Sequence, residues 1–294
     1  MTTVREILAE ARGRLVAAGL DPHDARTDAE VLAREAFGWD RARLLANRGE
    51  EAPPGGPARL AALVVRRSAR EPVSQILGRR EFRGLQFEVT ADVLTPRPES
   101  ELIVEEGLAR LADTERRWRI AEVGTGSGCL AVSLAVELPH ATVVATDLSE
   151  AALALARRNA ARHGVSKRVQ LVRTSLLEGV HGPFDLVASN PPYVTTGEMA
   201  ALPPEVRDHE PWVALDGGPD GLDVVRVLIA GSAPLLSPGG WLVFEIGAGQ
   251  DATAAALVQG NETLELVGVR TDLAGIARTV TARRRLSAHG RERR

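Results

Sequence analysis

Cysteine occurs once, at Cys129, and lysine once, at Lys167, in a chain of 294 residues. A single cysteine excludes an intrachain disulfide framework and suits a reducing compartment, so a cytoplasmic location is expected. Aromatic residues make up only 3% of the chain, and the net charge is −3. That combination argues against a basic, aromatic-lined nucleic-acid surface, and no direct sequence-specific nucleic-acid contact is expected. No window of about 18 uncharged apolar residues occurs, so no membrane span is expected. The N-terminal stretch MTTVREILAEARGRL carries acidic residues and no apolar h-region, unlike a secretory signal. His140, His163, His181 and His209 lack metal-ligand spacing, and no metal is expected.

What is present is the composition of a folded, core-forming protein, with 44% hydrophobic and 26% charged residues. The length suits about two domains. Residues 1–76 read as a small helical bundle. Thr3-Val4-Arg5-Glu6 fits a capping box, followed by Val4, Ile7, Leu8, Ala11 and Leu15 at helical spacing. Asp21-Pro22 and Asp40 open two further helices, 51–57 reads as a loop, and Ala58 to Ser68 is helical again. Residues 77–97 suggest a β-hairpin or extended connector. Residues 98–286 read as one further domain, in which a helix runs to about Leu111 and strands alternate with helices from Arg119, the strands reading at 119–123, 142–146, 169–172, 184–189, 241–246, 263–269 and 276–283. Helices are expected near 128–138, 149–163, 221–236 and 250–259. Such alternation predicts an α/β fold, a mostly parallel doubly wound sheet, with the last two strands antiparallel at one edge. The polar tail, 287–294, is expected to fray.

The first strand of that sheet runs into Glu122-Val123-Gly124-Thr125-Gly126-Ser127-Gly128. Alternating glycines let a backbone turn tightly and approach a ligand. The spacing G-x-G-x-G differs from the dinucleotide fingerprint and resembles the S-adenosylmethionine loop of class I methyltransferases. The second strand ends at Asp147, about 20 residues after the loop, where a carboxylate can accept hydrogen bonds from both ribose hydroxyls. Loop and acid together point to nucleoside binding, without separating S-adenosylmethionine from NAD.

The most informative quartet is Asn190-Pro191-Pro192-Tyr193, which follows the buried-strand pattern of residues 184–189. Ligands bind at the carboxyl ends of strands in such sheets. A planar nitrogen is a poor nucleophile because its lone pair is delocalised. Two acceptors that take its N–H groups aim that lone pair and stabilise the positive charge growing on nitrogen. Asn190 offers a side-chain oxygen and Pro191 a carbonyl. The prolines each fix φ near −65° and bias the preceding residue toward extended geometry. Tyr193 can stack on the flat group. No general base is required, since the nitrogen becomes acidic once methylated.

Glu71-Pro72-Val73, Gly78-Arg79-Arg80-Glu81-Phe82, Leu94 to Glu101, Ser189 to Tyr193 and Glu210-Pro211 closely resemble the release factor glutamine methyltransferases, the PrmC/HemK family. The resemblance runs from about residue 4 to 284. It implies a class I, Rossmann-like, seven-stranded methyltransferase domain behind an N-terminal substrate-docking domain. It also implies methylation of N5 of the glutamine in the Gly-Gly-Gln loop of peptide chain release factors, with S-adenosyl-L-methionine as cofactor and S-adenosyl-L-homocysteine as product. Gly124, Thr125, Gly126, Ser127, Gly128 and Asp147 carry over as cofactor contacts, with Asn190. Asn190, Pro191, Pro192 and Tyr193 carry over as the glutamine clamp. Two positions depart from the family pattern. Glu122 stands where the family usually has Asp. Ser175 stands where many members carry a carboxylate toward adenine, while the adjacent Leu176 can still pack on the adenine face.

Two other functions fit parts of the sequence. A nucleic-acid adenine-N6 methyltransferase would share the quartet but needs phosphate contacts that the composition does not supply. A non-catalytic nucleoside-binding module would not need an amide clamp. Arg97 and Glu99 can orient substrate or the cofactor carboxylate, or simply open a helix. Glu245 ends a strand near the site and is expected to make a structural hydrogen bond. Cys129 is expected to be a small buried residue. The basic Arg283–Arg285 and Arg291–Arg294 are expected to be solvated.

Overall fold

The computed structural model describes residues 2–286, and the tail at 287–294 lies outside them. The chain divides into two compact units, one of residues 1–78 with 203–209, the other of residues 79–202 with 210–294.

The first unit is helical: α1 (Val4–Ala17), α2 (Pro22–Phe37), α3 (Arg41–Ala46), α4 (Gly56–Ser68) and α5 (Val73–Leu77). Its helix starts follow from local chemistry. Glu6 N–H donates to Thr3 Oγ1 at 3.3 Å while Thr3 N–H donates to the Glu6 carboxylate at 2.8 Å, so two otherwise unpaired amides are satisfied reciprocally. Asp21 caps α2 through His23 N–H at 2.7 Å, with Pro22 at the first helical position, and Asp40 caps α3 through Arg43 N–H at 2.7 Å. Helix α4 begins at Gly56, before the expected Ala58, because Pro57 sits in a first turn where its missing N–H costs nothing. Leu77, expected in the connector, instead ends the short α5 that follows Pro72. Leu15, Leu32, Phe37, Leu60 and Val64 form the core. Each such side chain contributes about 1.5–3 kcal/mol relative to exposure.

The second unit opens with a hairpin of β1 (Arg79–Phe82) and β2 (Leu85–Glu88), then α6 (Glu101–Arg110). There follow β3 (Arg119–Val123), α7 (Cys129–Glu137), β4 (Thr142–Asp147), α8 (Glu150–Arg162), β5 (Val169–Arg173) and β6 (Phe184–Ser189). After the short α9 (Pro204–Arg207), which groups with the first unit, come α10 (Asp223–Leu235), β7 (Leu236–Glu245), α11 (Asp251–Gln259), β8 (Leu264–Thr271) and β9 (Ala277–Arg284).

The seven-stranded sheet has the order β5-β4-β3-β6-β7-β9-β8. The first five strands in that order run parallel, and β9 is antiparallel to both β7 and β8. The five residues between β8 and β9 leave no room for a crossover helix, so this pair turns back on itself. Strand β7 starts five residues earlier than the sequence suggests. Leu236 pairs with Phe184 and Trp241 with Leu186, and Ser237-Pro238-Gly239-Gly240 are extruded between them. Proline and two glycines are suited to such an interruption of the ladder. Apolar layers cover both faces, one built around Ile103, Leu134 and Leu186, the other around Leu228, Phe244 and Val258. Strand order reverses between β3 and β6, whose carboxyl ends therefore open a crevice between diverging connections.

Candidate active site

The loop between β3 and α7 is tied to the end of β4. Gly124 and Thr125 N–H groups both donate to the Thr146 carbonyl at 2.9 Å. Gly126, at φ +53°, donates its N–H to Asp147 Oδ2 at 2.9 Å. Asp147 Oδ1 accepts from Ser149 N–H at 2.9 Å, while Ser149 Oγ caps α8 through Ala152 N–H at 3.2 Å. Asp147 thus braces the loop. A carboxylate has about four acceptor positions, so two remain for a ligand. Gly128 serves a different need. A Cβ there would lie 3.1 Å from Ala156 Cβ, so its absence lets α7 start directly against α8.

Glu122 is buried under this loop, 1% exposed. Its Oε2 accepts from Thr125 Oγ1 at 2.6 Å and from Ala131 N–H at 3.2 Å. Its Oε1 is buried with no hydrogen-bond partner among the described residues. Burial pushes this carboxyl up to about 8, and the nearby Asp147 charge adds to the effect. A buried acceptor that lacks a donor suits a cationic or N–H-bearing ligand group.

Glu122, Gly124, Thr125, Gly126, Ser127 and Asp147 line one cavity of about 650 Å³. Ser175, Leu176, Asn190 and Pro192 line it too, as do Arg97 and Ser100. Its lining is suited to S-adenosylmethionine: an unpaired carboxyl oxygen at Glu122 for an amino group, Asp147 for hydroxyls, and Leu148 and Leu176 as apolar surface for a ring. Leu176 adopts a left-handed backbone, φ +48°, and its carbonyl accepts from Thr146 Oγ1 at 2.7 Å, which ties that wall to the end of β4. Trp212 and Val213 add an exposed apolar rim. Gly128, Pro191 and Tyr193 lie outside the lining.

Asn190 follows the last residue of β6. Its Nδ2 donates to Ser100 Oγ at 2.8 Å, and Ser100 donates onward to Glu245 Oε2 at 2.6 Å. The amide oxygen of Asn190 has no partner among the described residues and is the free end of the group. Tyr193 turns its hydroxyl toward Glu245 rather than into the cavity, and burial raises the phenol well above its ordinary range. Its backbone is pinned, since Gln250 Nε2 donates to the Tyr193 carbonyl at 2.9 Å and Gln250 Oε1 accepts from Gly247 N–H at 2.8 Å. Val194 then pairs with the chain returning at Asp216, where Gly217 N–H donates to its carbonyl at 2.8 Å.

Arg97 is held by the buried Glu210, Nη2 to Oε2 at 2.7 Å, while Glu210 Oε1 accepts from Thr95 N–H at 3.2 Å. Burial raises the Glu210 carboxyl, and Arg97 opposes that rise. Both residues sit in motifs that carry the family resemblance, but nothing in the sequence signals that they meet. Gln250 has no motif at all. Cys129, expected to be buried, is half-buried and lines the cavity; desolvation first and Glu122 second push its thiol up to about 12, which leaves it protonated. Among the described residues no group of histidines, cysteines and acids could hold a metal. His163 and His209 instead meet backbone carbonyls, of Gln86 at 2.9 Å and of Ala69 at 3.2 Å. Arg283 and Arg284 likewise donate to backbone carbonyls, at Gly239 and Pro234, and Arg291–Arg294 lie outside the described residues. Among the described residues no helix is long and apolar enough to cross a membrane.

Residues 6–78 match the PrmC N-terminal domain family, and residues 102–202 match the methyltransferase small domain family. The chain is 46% identical over 256 residues to the release factor glutamine methyltransferase of Geobacter sulfurreducens, covering 87% of this chain and 88% of that protein. It is 45% identical to the protein of the same name from Cereibacter sphaeroides, over 95% of this chain and 97% of that one. A methyltransferase structure from Pyrococcus furiosus superposes with a TM-score of 0.53 at 19% identity, over 77% of this chain and 98% of that one, a likeness of fold alone.

Proposed function

The chain belongs to the release factor glutamine methyltransferase family, and from that membership we propose that it methylates the side-chain N5 of the glutamine in the Gly-Gly-Gln loop of class 1 peptide chain release factors, supporting translation termination. When bound, S-adenosylmethionine supplies an activated methyl group and leaves as S-adenosylhomocysteine. Asp147 and the glycine loop would hold the nucleoside, and the unpaired Glu122 Oε1 would take up a donor at the methionine end.

One observation carries this reading: the Asn190 amide is engaged through its nitrogen by Ser100, so its oxygen is the end left for a ligand in the cavity that the glycine loop also lines. A glutamine carboxamide offers two N–H donors. The Asn190 oxygen accepts one and the Pro191 carbonyl the other, which orients the nitrogen lone pair and stabilises the charge that develops there. Holding the nitrogen in line with the methyl supplies the proximity term. The nitrogen then loses a proton made acidic by methylation, with no base of shifted pKa needed.

The test is incubation of the full chain with methyl-labelled S-adenosylmethionine and a purified class 1 release factor, in parallel with the same factor carrying Ala in place of the loop glutamine. Label is expected on the first and not on the second. Equal labelling of both would place the acceptor elsewhere.

A further inference from the structure

An asparagine amide is nearly symmetrical in shape, so its hydrogen bonds alone decide which end faces a ligand. Asn190 meets Ser100 Oγ at 2.8 Å, and Ser100 Oγ meets Glu245 Oε2 at 2.6 Å. Glu245 and Ser100 are almost fully buried, 1% and 2% exposed, so water does not compete for these bonds. A serine hydroxyl has one proton to give. An ionised carboxylate can only accept. The Ser100 proton is therefore committed to Glu245, and only lone pairs remain for Asn190.

We propose that Glu245 is a positioning residue that acts through Ser100 to fix the direction of the Asn190 amide, nitrogen toward Ser100 and oxygen toward the substrate. This rests on the assignment of Asn190 as the acceptor that grips a carboxamide. The flipped amide would set its oxygen against the Ser100 oxygen and would offer donors to a substrate group that is itself all donors. Only the fraction of molecules with the amide correctly turned is competent, and apparent efficiency falls with that fraction.

Protonation of Glu245 would release this constraint, because a neutral carboxyl can donate to Ser100 and free the hydroxyl proton for the Asn190 oxygen. Burial raises this carboxyl to about 7. The hydrogen bonds from Ser100 and Tyr193 and the charge of Arg278 on β9 oppose the rise, and Glu99 adds to it. An acid limb near neutrality is therefore expected in the methylation rate.

The experiment compares wild type, Ser100→Ala, Ser100→Thr and Glu245→Gln as full chains, with a purified release factor as acceptor. Ser100→Ala is expected to lower kcat/KM for the acceptor about 10- to 100-fold while S-adenosylmethionine affinity stays within about twofold. Ser100→Thr, which keeps the hydroxyl, is expected to recover most of the activity. Glu245→Gln is expected to lower activity and to change the acid limb, leaving only what the cavity-lining Glu122 contributes, since Gln can present either end to Ser100. Side-chain amide NMR of Asn190 reads the relay without turnover: one Nδ2 proton protected from exchange in wild type and exposed in Ser100→Ala. Wild-type kcat/KM in Ser100→Ala, no recovery with Thr, an acid limb in Glu245→Gln identical to that of wild type, or unprotected Asn190 protons in wild type would each overturn the relay. A wild-type chain that leaves glutamine unmethylated but keeps the protected proton would sink the assigned reaction and not the relay.

Discussion

Asp147 Oδ2 accepts the Gly126 N–H at 2.9 Å, so the acid that ends β4 also holds the glycine loop of β3 in shape. Removal of this carboxylate takes away both a ligand contact and the brace. Asp147→Ala is expected to weaken S-adenosylmethionine binding about 10- to 100-fold, the scale of one or two charge-assisted hydrogen bonds. Calorimetry measures this directly, and unchanged affinity would remove Asp147 from the cofactor site.

Asn190 is expected to act on the methyl acceptor. Asn190→Ala should lower kcat about 10²- to 10³-fold, the range found when one preorganised group facing a developing charge is removed. Binding of S-adenosylmethionine should change little. Parallel loss of turnover and cofactor affinity would count against the assigned role.

The buried Glu122 makes stability depend on pH in an unusual direction. Its carboxyl titrates at 4.5 in the unfolded reference and at about 8 in the folded protein. Between those values the native state holds a proton that the unfolded chain has released, so unfolding free energy falls as pH rises. Glu245, at about 7, adds to the same slope over most of that window. Thermal melts of the ligand-free protein should therefore drop from pH 5 to 8 (~3 units, between the two titrations). In Glu122→Gln the drop should be shallower. A slope identical to wild type would show that Glu122 is not the titrating group.

Tyr193 is the only tyrosine of the chain, which makes its phenol visible without interference. Burial first, then the Glu245 charge, raise it. Ultraviolet titration should show no phenolate near pH 10, where an exposed tyrosine is about half ionised. Ordinary ionisation in the folded protein would mean that the ring is not seated against Glu245.

In the helical unit Arg67 is 7% exposed and joins Asp28 at 2.7 Å and Glu205 at 2.9 Å. Loss of the guanidinium leaves the half-buried Asp28 without its cation beside Glu205, which keeps only Arg70 at 2.8 Å. Arg67→Ala is expected to destabilise this unit by about 3–5 kcal/mol. Chemical denaturation followed by circular dichroism tests it, and a loss under about 1 kcal/mol would mean that the pairs are solvated.

Much of this was legible before any coordinates. The strand–helix alternation from Arg119 onward reflects apolar runs that only a sheet covered on both faces can bury. The capping chemistry of Thr3, Asp21 and Asp40 is local, and so are the helix starts that it dictates. The glycine loop, Asp147 and Asn190 were visible because each ends a strand, and carboxyl ends of strands gather in one place in a doubly wound sheet. Where expectation and structure part, the cause is non-local. The early start of β7 depends on Phe184 pairing across a four-residue interruption, which no window of sequence records.

The order of residues by itself determined the elements, the parallel sheet and the family, because periodicity, caps and motif spacing are properties of short stretches. Tertiary structure alone decided that Ser100, Asn190 and Glu245, up to 145 positions apart, share one chain of hydrogen bonds. It also decided that Arg97 answers to Glu210 and that Tyr193 faces a carboxylate instead of the cavity. Such pairings depend on how distant strands and loops are stacked, and burial then makes each unsatisfied donor or acceptor costly enough to hold them.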